Sequence, residues 1–255
     1  MGKLERLLAL SILALAPSAA QAHDFFLLPE RFAAPAGPVP TVRATVGSSF
    51  PAAETALPAD RIEQLFAHGA GSPRLEPGGT ADGALNLRLL DARPGTAVAA
   101  VSVRPREVDY AEDRIPLILE EYRVSPEALA AVAALPRPRT LQVVSRRFAK
   151  TLLCIRTCDG WAAAARPLGA DFEFVAVDSG RNHFRLLSDG RPLGNYPVDL
   201  VTSDGSRRHL STDAQGDVHV PEEARGTMML FAALMTPPSG SGRFTLDLTT
   251  LTFQR

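Results

Sequence analysis

The 21 prolines and 19 glycines of this chain are scattered along its length instead of gathered in one tract. Such punctuation breaks long helices and central strands, and it favours many short elements joined by turns. Between these breaks apolar residues recur at every second position: Val42, Ala44 and Val46 within 39–46, then Leu85, Leu87 and Leu89. A period of two places them on one face of a half-buried strand. Residues 97–103, opened by Pro94-Gly95, and residues 62–66 read the same way. The spacing predicts a mainly β fold whose first part is a sandwich.

A helical insertion interrupts that part. Ser125 is an N-cap with Pro126 at the first helical position, and the Ala/Leu-rich stretch 127–135 ends at Pro136. Residues 115–122 form a second helical candidate. Extended structure returns at 141–155, where Arg146, Arg147 and Lys150 are expected on a solvated face. Beyond Pro167-Leu168-Gly169, strands are predicted at 172–177, 184–187, 196–202, 218–220, 228–234 and 244–253. Asp189-Gly190, Asp204-Gly205 and residues 213–216 supply turns. This second run predicts another small sandwich, with the division at polar residues 178–181. The expected organisation is a signal peptide over 1–22, a first β-sandwich domain with the helical insertion over 23–178, and a second domain over 179–255.

The signal-peptide reading rests on Lys3 and Arg6, the apolar run 7–15, and small Ala20 and Ala22 at the positions three and one before a cut. The run is too short to span a bilayer, and no later stretch reads as a transmembrane helix. The product is therefore expected to be soluble and periplasmic. A net charge of −1 suggests neither nucleic acid nor an anionic membrane as partner. No nucleophile elbow, phosphate loop or zinc-protease helix motif occurs, and the adjacent pairs Glu120-Glu121 and Glu222-Glu223 point apart. No catalytic residue is assigned.

A cut after Ala22 makes His23 the first residue, so one residue offers an imidazole and a free α-amine as a chelating pair. The other histidines are His68, His183, His209 and His219. His209 and His219 flank the turn at 213–216. If Leu210 and Val218 face the core, the two histidines oppose each other with Cβ atoms about 4.5–5.5 Å apart, suited to two ligands. The alternative is a pair of solvated histidines on a hairpin. His68, in an expected loop, and His183 read as surface residues, and Met228, Met229 and Met235 as core. Cys154 and Cys158 are candidates for a disulfide, with a thiolate metal pair or two free thiols as alternatives. In one continuous strand they would lie about 13 Å apart, so a bridge requires the segment to curl.

The opening His23-Asp24-Phe25-Phe26-Leu27-Leu28-Pro29, then Val46-Gly47 with Phe50, and the run Ser145-Arg146-Arg147-Phe148-Ala149-Lys150 resemble a bacterial periplasmic domain-of-unknown-function family. Its members are often described as the periplasmic component of nickel or cobalt transport. Gly190-Arg191-Pro192-Leu193, Thr212-Asp213-Ala214-Gln215-Gly216 and Leu251-Thr252-Phe253 fit as well. The resemblance implies immunoglobulin-like or transthyretin-like sandwiches, a transition metal as cargo, and a membrane metal transporter as partner. The chain departs from the family at Phe26, where tryptophan is usual, and at Ala232-Ala233-Leu234-Met235, where a histidine and a methionine are common.

The leading expectation is therefore a periplasmic binding or transport-accessory protein for nickel or cobalt, with copper and zinc as further candidates, anchored on His23 with His209 and His219. A metal-free β-sandwich module of the cell envelope is the alternative. A copper oxidase built on a histidine brace is the third reading, and it requires a second histidine beside His23.

Overall fold

The structure, a computed structural model, describes residues 23–179 and 181–255 of the chain. The expected signal peptide lies outside the described residues. The chain opens with β1 (Asp24–Pro29), β2 (Ala33–Ala34), β3 (Val42–Gly47), β4 (Thr55–Ala56), β5 (Ile62–His68), β6 (Gly71–Ala81), β7 (Ala84–Ala92) and β8 (Gly95–Ala111). Helices α1 (Ile115–Glu121) and α2 (Pro126–Ala133) lead into the long strand β9 (Thr140–Ile155) and the short helix α3 (Ala162–Ala165). Then follow β10 (Phe172–Ala176), β11 (His183–Ser188), β12 (Arg191–Pro192), β13 (Pro197–Thr202), β14 (Arg207–Ser211), β15 (Asp217–His219), β16 (Thr227–Thr236) and β17 (Phe244–Gln254). The fold is mainly β, as the spacing predicts.

Three sheets form. One runs β1-β3-β7-β6 with β4 against β3, one runs β14-β13-β16-β17-β9-β8-β5 with β2 against β9, and one runs β10-β11-β12 with β15 against β11. The second is central, and the alternation of its side chains buries both faces. On β8, Ala97, Ala99 and Val101 pack towards β1, β3 and β7, whereas Val98 packs with Phe174 and Phe184 of the third sheet. Helices α1 and α2 cover another part of the central sheet, where Ile118, Ala128 and Val132 meet Phe231 and Leu246. Ser125 caps α2 by accepting a hydrogen bond from the Ala128 amide at 3.2 Å.

Strand β17 is buried over nearly its whole length because it lies inside this sheet, parallel to β9 on one side and antiparallel to β16 on the other. This pairing bears on the expected division at 178. Residues before and after it share one sheet through β9 and β17, and one core in which Leu152 and Val98 meet Phe184 and Phe253.

Lys150 departs from the solvated face expected for it. It is 1% exposed, donates to the carboxylate of Glu173, and donates to the Phe174 carbonyl at 2.7 Å. Glu173 also accepts from the Leu168 and Gly169 amides, each at 2.9 Å. A buried ion pair with these hydrogen bonds satisfied can persist inside a core. It ties the segment before β10 to β9.

Candidate metal centre

Strand β1 is a rigid support for His23. Its register partner β3 aligns Asp24 with Gly47, and its side chains are buried in alternating directions. Phe25 and Leu27 enter the core with Val42 and Leu85, whereas Phe26 meets the Phe50 ring edge-on at 5.2 Å beside Val201 and Met229. Thr250 and Thr252 of β17 donate hydroxyl hydrogen bonds to the carbonyls of Phe25 and Leu27. Both edges of β1 are thereby held. His23 stands exposed at its start, and its carbonyl accepts from Arg147 Nη1 at 3.3 Å.

The loop after β3 closes against the same end. Gly47 has no space for a side chain, since a Cβ there would lie 2.8 Å from the Ala52 carbonyl oxygen. The close approach brings Glu54 back to Ser48, whose hydroxyl donates to its carboxylate at 2.9 Å, while the Ser49 amide donates at 3.1 Å. Hydrogen bonds from Ser48 hold the Glu54 carboxyl below its usual range, and the field of His23 contributes in the same direction.

From Asp24 a buried polar network runs to His209. Arg207 Nη2 donates to Asp24 at 2.5 Å and Nη1 donates to Asp199 at 2.9 Å. The other oxygen of Asp199 lies 2.8 Å from His209 Nδ1 and 3.1 Å from Arg123 Nη2. Burial pushes the Asp24 carboxyl above its ordinary range, and Arg207 pulls in the opposite direction. The contact orients the His209 ring, which is 64% exposed. A carboxylate that orients the ring in this way prepares an imidazole to act as a ligand.

His219 belongs elsewhere, which corrects the expected His209–His219 pair. Asp213 closes the turn, its carboxylate accepting from the Gln215 and Asp217 amides at 2.8 and 2.9 Å. The strands on either side nevertheless join different sheets, β14 pairing with β13 and β15 with β11. The register partner of His219 is His183, whose ring stacks on it at 4.1 Å. His183 is engaged at both nitrogens, by Asp178 at 3.2 Å and by Asp217 at 3.1 Å. Stacked rings direct their in-plane lone pairs side by side instead of towards a common point. His68 ends β5 opposite Val98 and is not in a loop.

Cys154 and Cys158 form a disulfide with Cα atoms 4.7 Å apart. The curl that this needs occurs at Arg156, whose φ is +61°. Met228, Met229 and Met235 are buried in the core. Among the described residues, no group of three or more His, Cys, Asp or Glu side chains is arranged to hold a metal ion. The geometry thus runs one network from Asp24, the residue after His23, to His209, and pairs His219 with His183 on another sheet. Asp24 escapes sequence inspection because Arg207 lies 183 positions away, whereas Asp199 and Arg207 are only eight apart across the β13–β14 hairpin.

No helix of the described residues is long and apolar enough to cross a membrane. No curated protein matches the chain. The model of one family, described as "Domain of unknown function (DUF4198)", matches residues 20–236, most of the sequence, and the chain therefore belongs to that family.

Proposed function

We propose that the exported protein, cut after Ala22, is a periplasmic binding or transport-accessory protein for a divalent transition metal of the nickel or cobalt type. His23 supplies the anchor, through its imidazole and the α-amine released by the cut. The observation that carries this reading is the exposed His23 ring at the start of a strand held on both edges, with its own carbonyl engaged by Arg147. His209, held by Asp199 at the far end of the Asp24–Arg207–Asp199 chain, is a further candidate donor. Such a site holds metal with positions left open, which suits transfer to a membrane transporter more than permanent storage.

The test is metal analysis of purified exported protein titrated with nickel and cobalt. One equivalent retained by the native protein and lost by His23→Ala supports the reading. Equal uptake by both proteins removes His23 from the site, and no uptake by either favours a metal-free interaction module of the envelope.

A further inference from the structure

A cleft of about 470 Å³ opens at His23, and among the described residues its lining contains four arginines and no carboxylate. Arg61 precedes β5, Arg104 lies within the register shift of β8 and Arg106 ends it, and Arg147 lies on β9. Their contacts leave the charges in place. Arg61 Nη2 donates to the Arg104 carbonyl at 2.5 Å, Arg104 Nε donates to the Asp60 carbonyl at 3.0 Å, and Arg147 donates to the His23 carbonyl. Among the described residues none of the four forms a salt bridge, whereas Arg123, Arg146, Arg185 and Arg207 are all paired with aspartates. Gathering four guanidinium groups around one concavity costs free energy through mutual repulsion, and an anion would relieve it.

Phe25, Leu57, Val103 and Val108 give the cleft apolar wall, beside the hydroxyls of Thr55 and Ser145. Tyr110 stands in the wall as a neutral hydroxyl, its pKa pushed up by burial. Inorganic phosphate would satisfy the guanidinium groups and leave this apolar surface wet. The size lies within the range of small-molecule pockets, which combine an apolar body with a few placed polar groups.

We propose that this cleft binds a small amphiphilic organic anion, its carboxylate or phosphate head on Arg61, Arg104, Arg106 and Arg147 and its apolar body on Phe25, Leu57, Val103 and Val108. Guanidinium forks match both head groups in bidentate geometry. The site stands on the arginines; His23 also lines the cleft, so the test is made on metal-free protein.

Calorimetric titration of the metal-free protein with octanoate, octyl phosphate, octanol and inorganic phosphate tests it. Octanoate or octyl phosphate should bind with one-site saturation, and whichever binds tighter identifies the head group. Octanol and inorganic phosphate should each bind about tenfold more weakly or not at all, because each lacks one half of the recognition. Arg106→Ala and Arg61→Ala should each weaken the anion about tenfold, and Arg191→Ala, on β12, should leave it unchanged. Circular dichroism of each variant verifies folding. Failure of both amphiphiles to saturate, octanol binding as tightly as octanoate, or indifference of folded R106A and R61A would overturn the proposal.

Discussion

Asp199 and His209 are direct register partners on β13 and β14, and the carboxylate of the first lies 2.8 Å from Nδ1 of the second. The same carboxylate receives Arg207 and Arg123, so one buried aspartate, 3% exposed, organises three cationic or polar neighbours. Replacing it by alanine leaves Arg207 with Asp24 alone and Arg123 with the Leu210 carbonyl. Breaking a buried ion pair by removing one partner costs about 3–5 kcal/mol. Asp199→Ala should lose stability of that order in urea denaturation; a loss below about 1 kcal/mol would show the network to be dispensable.

Lys150→Met should likewise destabilise by about 3–5 kcal/mol, since it strands Glu173 inside the core. Adding Glu173→Gln should recover more than half of that loss, because the glutamine carbonyl still accepts from the Leu168 and Gly169 amides. Denaturation of the single and double variants measures this coupling. Additive losses would argue against a coupled pair.

The disulfide closes a very short loop, so its removal should cost roughly 2 kcal/mol in the chain-entropy account. Cys154→Ser with Cys158→Ser should lower the unfolding midpoint and leave nickel uptake unchanged, since neither sulfur belongs to the proposed site. Lost uptake in a folded double variant would put the cysteines into the metal chemistry.

Acid should weaken the Asp217 cluster. Hydrogen bonds from Arg185 hold the Asp217 carboxyl below its usual range, and His183 adds to the effect. The folded value lies below the unfolded one, so this stabilisation is complete above an unfolded pKa of about 3.9 and is lost as pH falls through the folded value. The stability gap between the native protein and Asp217→Asn should narrow below about pH 4 relative to its value at about pH 5. A gap that widens in acid contradicts the assignment.

Much of the local structure is legible in the sequence, since strand alternation at 85–89 and the Ser125-Pro126 helix start depend on near neighbours. Strand β6 is not legible. Its Gly-Ser-Pro and Pro-Gly-Gly segments read as breakers, yet it sits at a sheet edge, where two register shifts accommodate them. Lys150 is misread for a different reason: its partner Glu173 lies on another sheet, and no local pattern signals a buried pair. The His209–His219 expectation fails on topology, because a local turn does not reveal that its two strands leave for different sheets. The parallel β9–β17 pairing, which joins residues about a hundred positions apart on either side of position 178, leaves no local signal. His23 is legible only through the cut that would expose it, and the arginines beside it converge only in the folded chain.

Nickel titration of two exported forms, one beginning at His23 and one carrying a single extra alanine before it, followed by native mass spectrometry, tests the central claim most directly. The chelate of amine and imidazole exists only in the first form. The account predicts one nickel bound to the form beginning at His23 and about tenfold or weaker binding to the extended form. Equal affinity of the two forms would contradict it.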